Sequence, residues 1–442
     1  MIKLLKKIKL SGILLVLLAF SIAQIAKINP AIPLFLVFIY LYLKSRGLIA
    51  KNCNLTNLSL LFLIIFTGGY FICVNSLPLY FIPFSLLPML LMLLFGSLEI
   101  SLVVSLAVAV SLASVSLFPL ELILFFVISS ILSAFLVKGA RKRSTIINAG
   151  LATGLIQAIA LFFMGSINIG ISYKTVFFLA NGLVSSIIVL GVLPIFEYFF
   201  GAITNISLLE LADSHQPLLE LLIQEAPGTY HHSLIVGNLS ETAARAIGAN
   251  ALLSRIGAYY HDIGKLEKPE YFSENQDRAL NKHDALSPAM SKLVIMKHVK
   301  EGVELAKKYR LNPALIDFIE QHHGKSLVYY FYLRALENPK EGQEVEEEGF
   351  RYPGPKPSTK ETAIVLLADS VEAAVRSLKE ATAATIEDLV HKVINNKFID
   401  GQLDECDLSL KDLEKISAVF IRLLCGIYHS RASYPDKESN QP

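Results

Sequence analysis

The chain has 442 residues, a formal net charge of +2 and 53% apolar residues. That near-neutral total hides a split: residues 1–200 hold 13 Lys/Arg against 3 acidic residues, and the remainder holds 27 against 35. A net-acidic second half with no basic stripe argues against duplex nucleic acid as its partner. Four cysteines without CxxC spacing argue against a disulfide framework or a zinc ribbon.

A helix needs about 20 apolar residues to cross the hydrocarbon core, where no water satisfies free backbone groups. Eight candidate spans follow in chain order, near 10–26, 30–44, 57–75, 78–96, 98–118, 121–138, 146–165 and 175–199. Residues 1–29 read as a basic segment and a first, uncleaved span, because "SIAQIA" leads at once into another apolar run. Residues 30–200 read as a seven-helix transmembrane domain. Lys3, Lys6, Lys7 and Lys9, then Lys44, Arg46 and Lys51, then Lys138, Arg141, Lys142 and Arg143 mark the inner loops. With an even number of spans, both termini and the second half are expected in the cytoplasm. No Asp, Lys or His lies in mid-span, so an anchor or sensor is expected rather than a transporter.

From residue 201 the pattern changes to helical periodicity with charged faces. Residues 201–227 form a helical connector, with Pro217 marking a kink or restart. Residues 228–435 repeat apolar positions at spacings of three and four, which predicts an all-helical domain large enough for one core. The tail 436–442 is expected to be disordered. The predicted fold class is therefore all-α, a multi-span transmembrane helical bundle followed by an all-helical domain. Residues 337–360 are acidic and then rich in Pro and Gly. They read either as a solvated excursion or as a flap over a site, with Arg351 and Tyr352 among stiffening prolines.

Chemistry is concentrated in this half, since all ten histidines lie beyond residue 214. His232, the adjacent pair His261-Asp262, His298, the adjacent pair His322-His323, and Asp369 form a set of imidazole and carboxylate donors. A carboxylate can bridge two cations while neutral imidazoles complete each shell. Two such cations suit in-line displacement at a phosphodiester. His215, His283, His391 and His429 match no pattern and read as surface or core-edge residues.

The segments "GTYHHSLIVGNL", "GAYYHDIGKL", "KHVKEGVELA", "QHHG" and "LADSVEAA" resemble the HD-domain phosphohydrolases. More narrowly, the chain resembles the seven-transmembrane HD-domain phosphodiesterases of bacteria, which hydrolyse cyclic di-AMP to pApA. The resemblance implies two divalent metal ions, iron or manganese. His232, His261, Asp262 and Asp369 would hold one; Asp262, His298, His322 and His323 would hold the other. His261, Asp262 and Lys265 would be catalytic, with Lys265 approaching phosphate as a compact charge. Lys265, Tyr260, Arg351 and Tyr352 are candidate substrate contacts, and Tyr259 and Tyr271 are further rings that could stack on adenine. The "GYP" signature of cyclic di-GMP enzymes is absent after "HHG". The large extracellular domain common in the family is also expected to be missing, because 10–26 runs almost directly into the next helix. The implied location is the bacterial inner membrane, with cyclic di-AMP and the lipid bilayer as partners and a homo-oligomer open. The alternatives are an HD hydrolase of guanosine tetraphosphate or a mononucleotide, or a nucleotide-binding membrane receptor.

Overall fold

The computed structural model describes residues 31–51, 54–163, 173–276, 282–337 and 345–428. The first candidate span, the basic segment before it, the tail and His429 lie outside these residues. The chain divides into two compact units, 1–206 and 207–442. Both are helical; the one β-type pairing among the described residues is an isolated bridge between Leu327 and Arg351.

In the first unit the helices are α1 (Ala31–Ser45), α2 (Leu48–Lys51), α3 (Leu55–Val74), α4 (Leu86–Phe95), α5 (Leu98–Ala113), α6 (Pro119–Val137), α7 (Arg143–Phe163) and α8 (Tyr173–Phe200). α3, α6, α7 and α8 are long and apolar enough to cross a membrane; α1 and α5 are shorter apolar helices. Small residues let α7 and α8 touch along their backbones. A Cβ on Gly182 would lie 2.1 Å from the Gly150 carbonyl oxygen and 2.6 Å from the Gly154 nitrogen. Close approach through small residues is a common basis of helix pairing in lipid.

The continuous span expected at 78–96 is not one helix. Pro78, Pro83 and Pro88 cannot donate to a helical ladder, and the segment forms a 3-10 turn at Leu79–Phe81 before α4 begins. Asn181 on α8 satisfies the freed carbonyls, its Nδ2 donating to Tyr80 at 2.8 Å and to Ile82 at 2.6 Å. Irregular backbone is tolerated at membrane depth where protein satisfies it. Replacing Asn181 by Leu should therefore destabilise this unit by about 2 kcal/mol. Thermal unfolding of the detergent-solubilised chain measures this, and an unchanged midpoint would contradict the role of Asn181.

The second unit begins within α9 (Asn205–Leu211) and continues with α10 (Pro217–Glu225), α11 (Pro227–Ile247) and α12 (Ala251–Tyr260). Then come α13 (Pro288–Lys308), α14 (Pro313–Gln321), α15 (Tyr329–Glu337), α16 (Lys360–Arg376), α17 (Ala383–Ile399) and α18 (Leu410–Tyr428). Pro217 is at the start of α10, where its missing N–H costs nothing. Side-chain caps fix the starts of the site-bearing helices: Asn250 for α12, Ser287 for α13, Asn312 for α14 and Thr359 for α16. α16 is apolar almost all round, with every residue from Ala363 to Ala368 fully buried. An all-round apolar helix belongs at the centre of a domain, and α11, α14, α17 and α18 pack around it.

Candidate metal centre

Five elements deliver the seven donors. α11 carries His232; His261 and Asp262 follow the last turn of α12; α13 carries His298; His322 and His323 follow α14; α16 carries Asp369. The pair after α12 is set close to α13 by two glycines. A Cβ on Gly264 would fall 1.8 Å from the His298 carbonyl oxygen and 2.5 Å from the Gly302 nitrogen, so "HDIG" and "HVKEG" meet backbone to backbone. Phe318 likewise packs directly on Gly257, locking α14 against α12.

Six of the seven donors are buried, and His323 keeps partial exposure. Their ligand atoms fall into two groups, each within 4.8 Å: Asp262, His298, His322 and His323, and then His232, His261 and Asp369. Asp262 faces both. Its Oδ1 lies 3.4 Å from His298 Nε2 and 3.5 Å from His322 Nε2, while Oδ2 lies 3.2 Å from His261 Nε2 and 3.7 Å from His232 Nε2. On the far side, Asp369 Oδ1 is 3.1 Å from His232 Nε2 and Oδ2 is 3.6 Å from His323 Nδ1.

The tautomers can be read from the backbone. His261, His298 and His322 each donate Nδ1–H to the carbonyl three residues earlier: Ala258 at 2.6 Å, Ile295 at 2.5 Å and Ile319 at 2.9 Å. The Nε2 atoms of neutral rings are then acceptors only. Yet His298 Nε2 and His322 Nε2 face each other at 3.2 Å, and buried His261 Nε2 and Asp262 Oδ1 have no hydrogen-bond partner. Two lone pairs and a carboxylate oxygen converging without a donor are repulsive unless a cation lies among them. Divalent cations with nitrogen and oxygen ligands fit this donor set.

Electrostatics agree. Burial, with the neighbouring Lys265 charge, pushes His298 down to about 4 despite Asp262, and burial also lowers His323 strongly. Burial works against ionising Asp262 and Asp369, but His261 and Lys265 outweigh it for the first, and His232 and His323 for the second. Neutral imidazoles and ionised carboxylates are the ligating forms. His232 differs: burial disfavours its charge, but hydrogen bonds with Asp369 and Glu372 raise it to about 10.

The other candidate contacts separate. Lys265 Nζ sits 2.7 Å from Asp262 Oδ2 and 2.6 Å from Glu274 Oε1, inside the site. Tyr352 stacks on His323, ring centroids 4.3 Å apart. It is held there by residues 350–352, where the Phe350 carbonyl accepts from Val328 N and Tyr352 N donates to Ser326 O. This part packs as a flap. Arg351 does not face the cluster: its guanidinium is bonded to Glu347, Asp400 and the Lys325 carbonyl, which makes it the flap's anchor. Tyr260 is also not brought to the site, being fully buried with its hydroxyl donating to Leu211 O. Tyr259 bonds Arg255 and packs on Gly237. His283 is buried against Tyr271 O, and His215 pairs with Asp213 at the surface.

Sequence reasoning missed three charged residues around the donors. Glu372 accepts from His232 Nδ1 at 2.6 Å, one helical turn beyond Asp369 in "LADSVEAA"; its spacing was the available signal. Glu274 accepts from Lys265, and burial notwithstanding, that ammonium holds it down to about 2. Lys397 donates to Ser326 Oγ at 2.7 Å.

A paired His/Asp centre of this kind, gathered from five elements of one helical unit, has the donor arrangement of an HD-type metal site. Residues 22–204 match the family model described as 7TM receptor with intracellular HD hydrolase, and residues 229–374 match the HD domain model. The chain belongs to this family of seven-transmembrane HD-domain proteins. The cyclic-di-AMP phosphodiesterase PgpH of Bacillus subtilis is 43% identical over 319 residues, covering 71% of this chain and 44% of that protein. PgpH of Listeria monocytogenes is 42% identical over 320 residues, with the same coverage of each. The chain thus spans less than half the length of these curated relatives. The crystal structure of the Listeria PgpH HD domain in complex with cyclic-di-AMP is 47% identical, covers 50% of this chain and all of that one, and has a TM-score of 0.46.

Proposed function

We propose that this protein is a membrane-anchored phosphodiesterase that hydrolyses cyclic di-AMP to pApA with two divalent cations, iron or manganese, held by the seven donors. The observation that carries the reading is the approach of His298 Nε2 to His322 Nε2 at 3.2 Å, with both Nδ1 atoms already committed as donors. The relatives named as cyclic-di-AMP phosphodiesterases, 43% and 42% identical, support the choice of substrate. The distribution of Lys and Arg over the loops supports a bacterial inner membrane with the second unit in the cytoplasm.

Bound cations would supply an activated water near neutral pH and positive charge for the non-bridging phosphate oxygens. The chain's own residues do the rest. Asp262 turns one oxygen to each donor group, so it would be the shared ligand. Three backbone carbonyls fix the rings of His261, His298 and His322 with Nε2 forward. Lys265 lies between two carboxylates, which hold its proton; it offsets their charge, and solvent protonates the leaving 3′-oxygen. Tyr352 stacks on one face of His323 and fixes the orientation of that ring, with Arg351 holding the flap in place.

The test uses the full chain in detergent with added manganese, offered cyclic di-AMP, guanosine tetraphosphate and a mononucleotide in parallel. Cyclic di-AMP should turn over fastest and yield pApA. Faster turnover of the mononucleotide would reject the substrate assigned here.

A further inference from the structure

The two donor groups share Asp262 but are supported differently from behind. Among the five ligand histidines, His261, His298 and His322 donate Nδ1–H to neutral main-chain carbonyls. His323 turns Nδ1 toward Asp369 Oδ2, 3.6 Å away. His232 alone turns its outer nitrogen to a side-chain carboxylate, Glu372 Oε2, at 2.6 Å.

Glu372 is itself fixed. It is 1% exposed, and the same oxygen lies 3.5 Å from Arg376 NH1. Arg376 NH2 lies 3.7 Å from Glu274 Oε2, Glu274 Oε1 receives Lys265 Nζ at 2.6 Å, and Lys265 reaches Asp262 Oδ2 at 2.7 Å. A band of alternating charge therefore runs from one ligand, His232, to another, Asp262. Its two carboxylates and two cations cancel, so its effect is not bulk charge. It acts through the directed hydrogen bond at its His232 end.

We propose that Glu372 is a positioning residue that makes the two cation sites unequal, so that the site of His232, His261, Asp262 and Asp369 fills first. The inference rests on the metal-centre reading above. A carboxylate that accepts from the outer nitrogen of a ligating histidine fixes its ring and raises the basicity of the inner nitrogen. Both sites face Asp262 and Asp369, the second through His323 Nδ1 at 3.6 Å from Asp369 Oδ2, so the bond from His232 to Glu372 is what separates them.

The metal-stripped full chain in detergent, titrated with manganese and followed by calorimetry and by the electron paramagnetic resonance of free manganese, tests this. The parent should show two classes of one ion each. Glu372→Gln keeps the shape and an acceptor but removes the charge. It should weaken the tighter class by about 10–100-fold and leave the weaker class where it was. The unmoved class shows that the unit remains folded. Glu372→Asp, too short to reach His232, should give the same shift. Two equal sites in the parent, an unchanged tight class in Glu372→Gln, or loss of both classes together would each overturn the proposal. A parent that binds no manganese would overturn the metal-centre reading with it.

Discussion

Asp262→Asn should remove nearly all hydrolysis and both bound cations, because Asp262 turns Oδ1 to His298 and His322 and Oδ2 to His261 and His232, four of the five donor imidazoles. An amide cannot bridge as a carboxylate does, and its NH2 would point a donor at atoms that expect a cation. Each bound cation stabilises a phosphoryl transition state by several kcal/mol. Losing the pair should lower kcat/KM by about 10³-fold or more. Steady-state rates and elemental analysis of the purified variant measure both effects. A rate within about tenfold of the parent, equivalent to some 1.4 kcal/mol, would remove Asp262 from the centre.

Gly264→Ala should have the largest effect on stability of any single methyl added to this unit. The new Cβ would meet the His298 carbonyl oxygen at 1.8 Å and the Gly302 nitrogen at 2.5 Å, both backbone atoms that cannot swing aside. Overpacking costs about 1–3 kcal/mol, and contact with backbone places this case near 3. For a unit of this size that is a drop of about 6–12 °C in Tm. α13 must also move to make room, which carries His298 away from Asp262 and should cost a bound cation. Gly426→Ala on α18, where a Cβ meets nothing within 4 Å, is the control and should leave Tm unlowered or slightly raised. Equal melting of the two variants would contradict the account of how "HDIG" is seated on α13.

The helical architecture and the donor set were legible for a physical reason. Histidine and aspartate are costly in a bilayer and absent from residues 1–200, so their sudden clustering in adjacent pairs stood out. Apolar spacing read the helices well where a helix was continuous. It failed at 78–96, because hydropathy measures affinity for lipid and says nothing of a backbone interrupted by Pro78 and Pro83. Tyr260 was misjudged by nearness: it directly precedes His261, yet its hydroxyl ends at Leu211 O, 49 positions away. Arg351 reads from the sequence as a candidate substrate contact, but its partner Asp400 lies 49 positions away, beyond any local pattern. Glu274 sits in "YFSEN", a stretch without periodicity, and only the fold shows it gripping Lys265.

The central claim is that one carboxylate, Asp262, joins two cations in a single buried centre. The most direct measurement is the electron paramagnetic resonance spectrum of the manganese-loaded full chain at two ions per chain. A magnetically coupled pair, lost in Asp262→Asn, is the predicted result. Spectra of isolated ions at full loading, or no retained manganese at all, would contradict it.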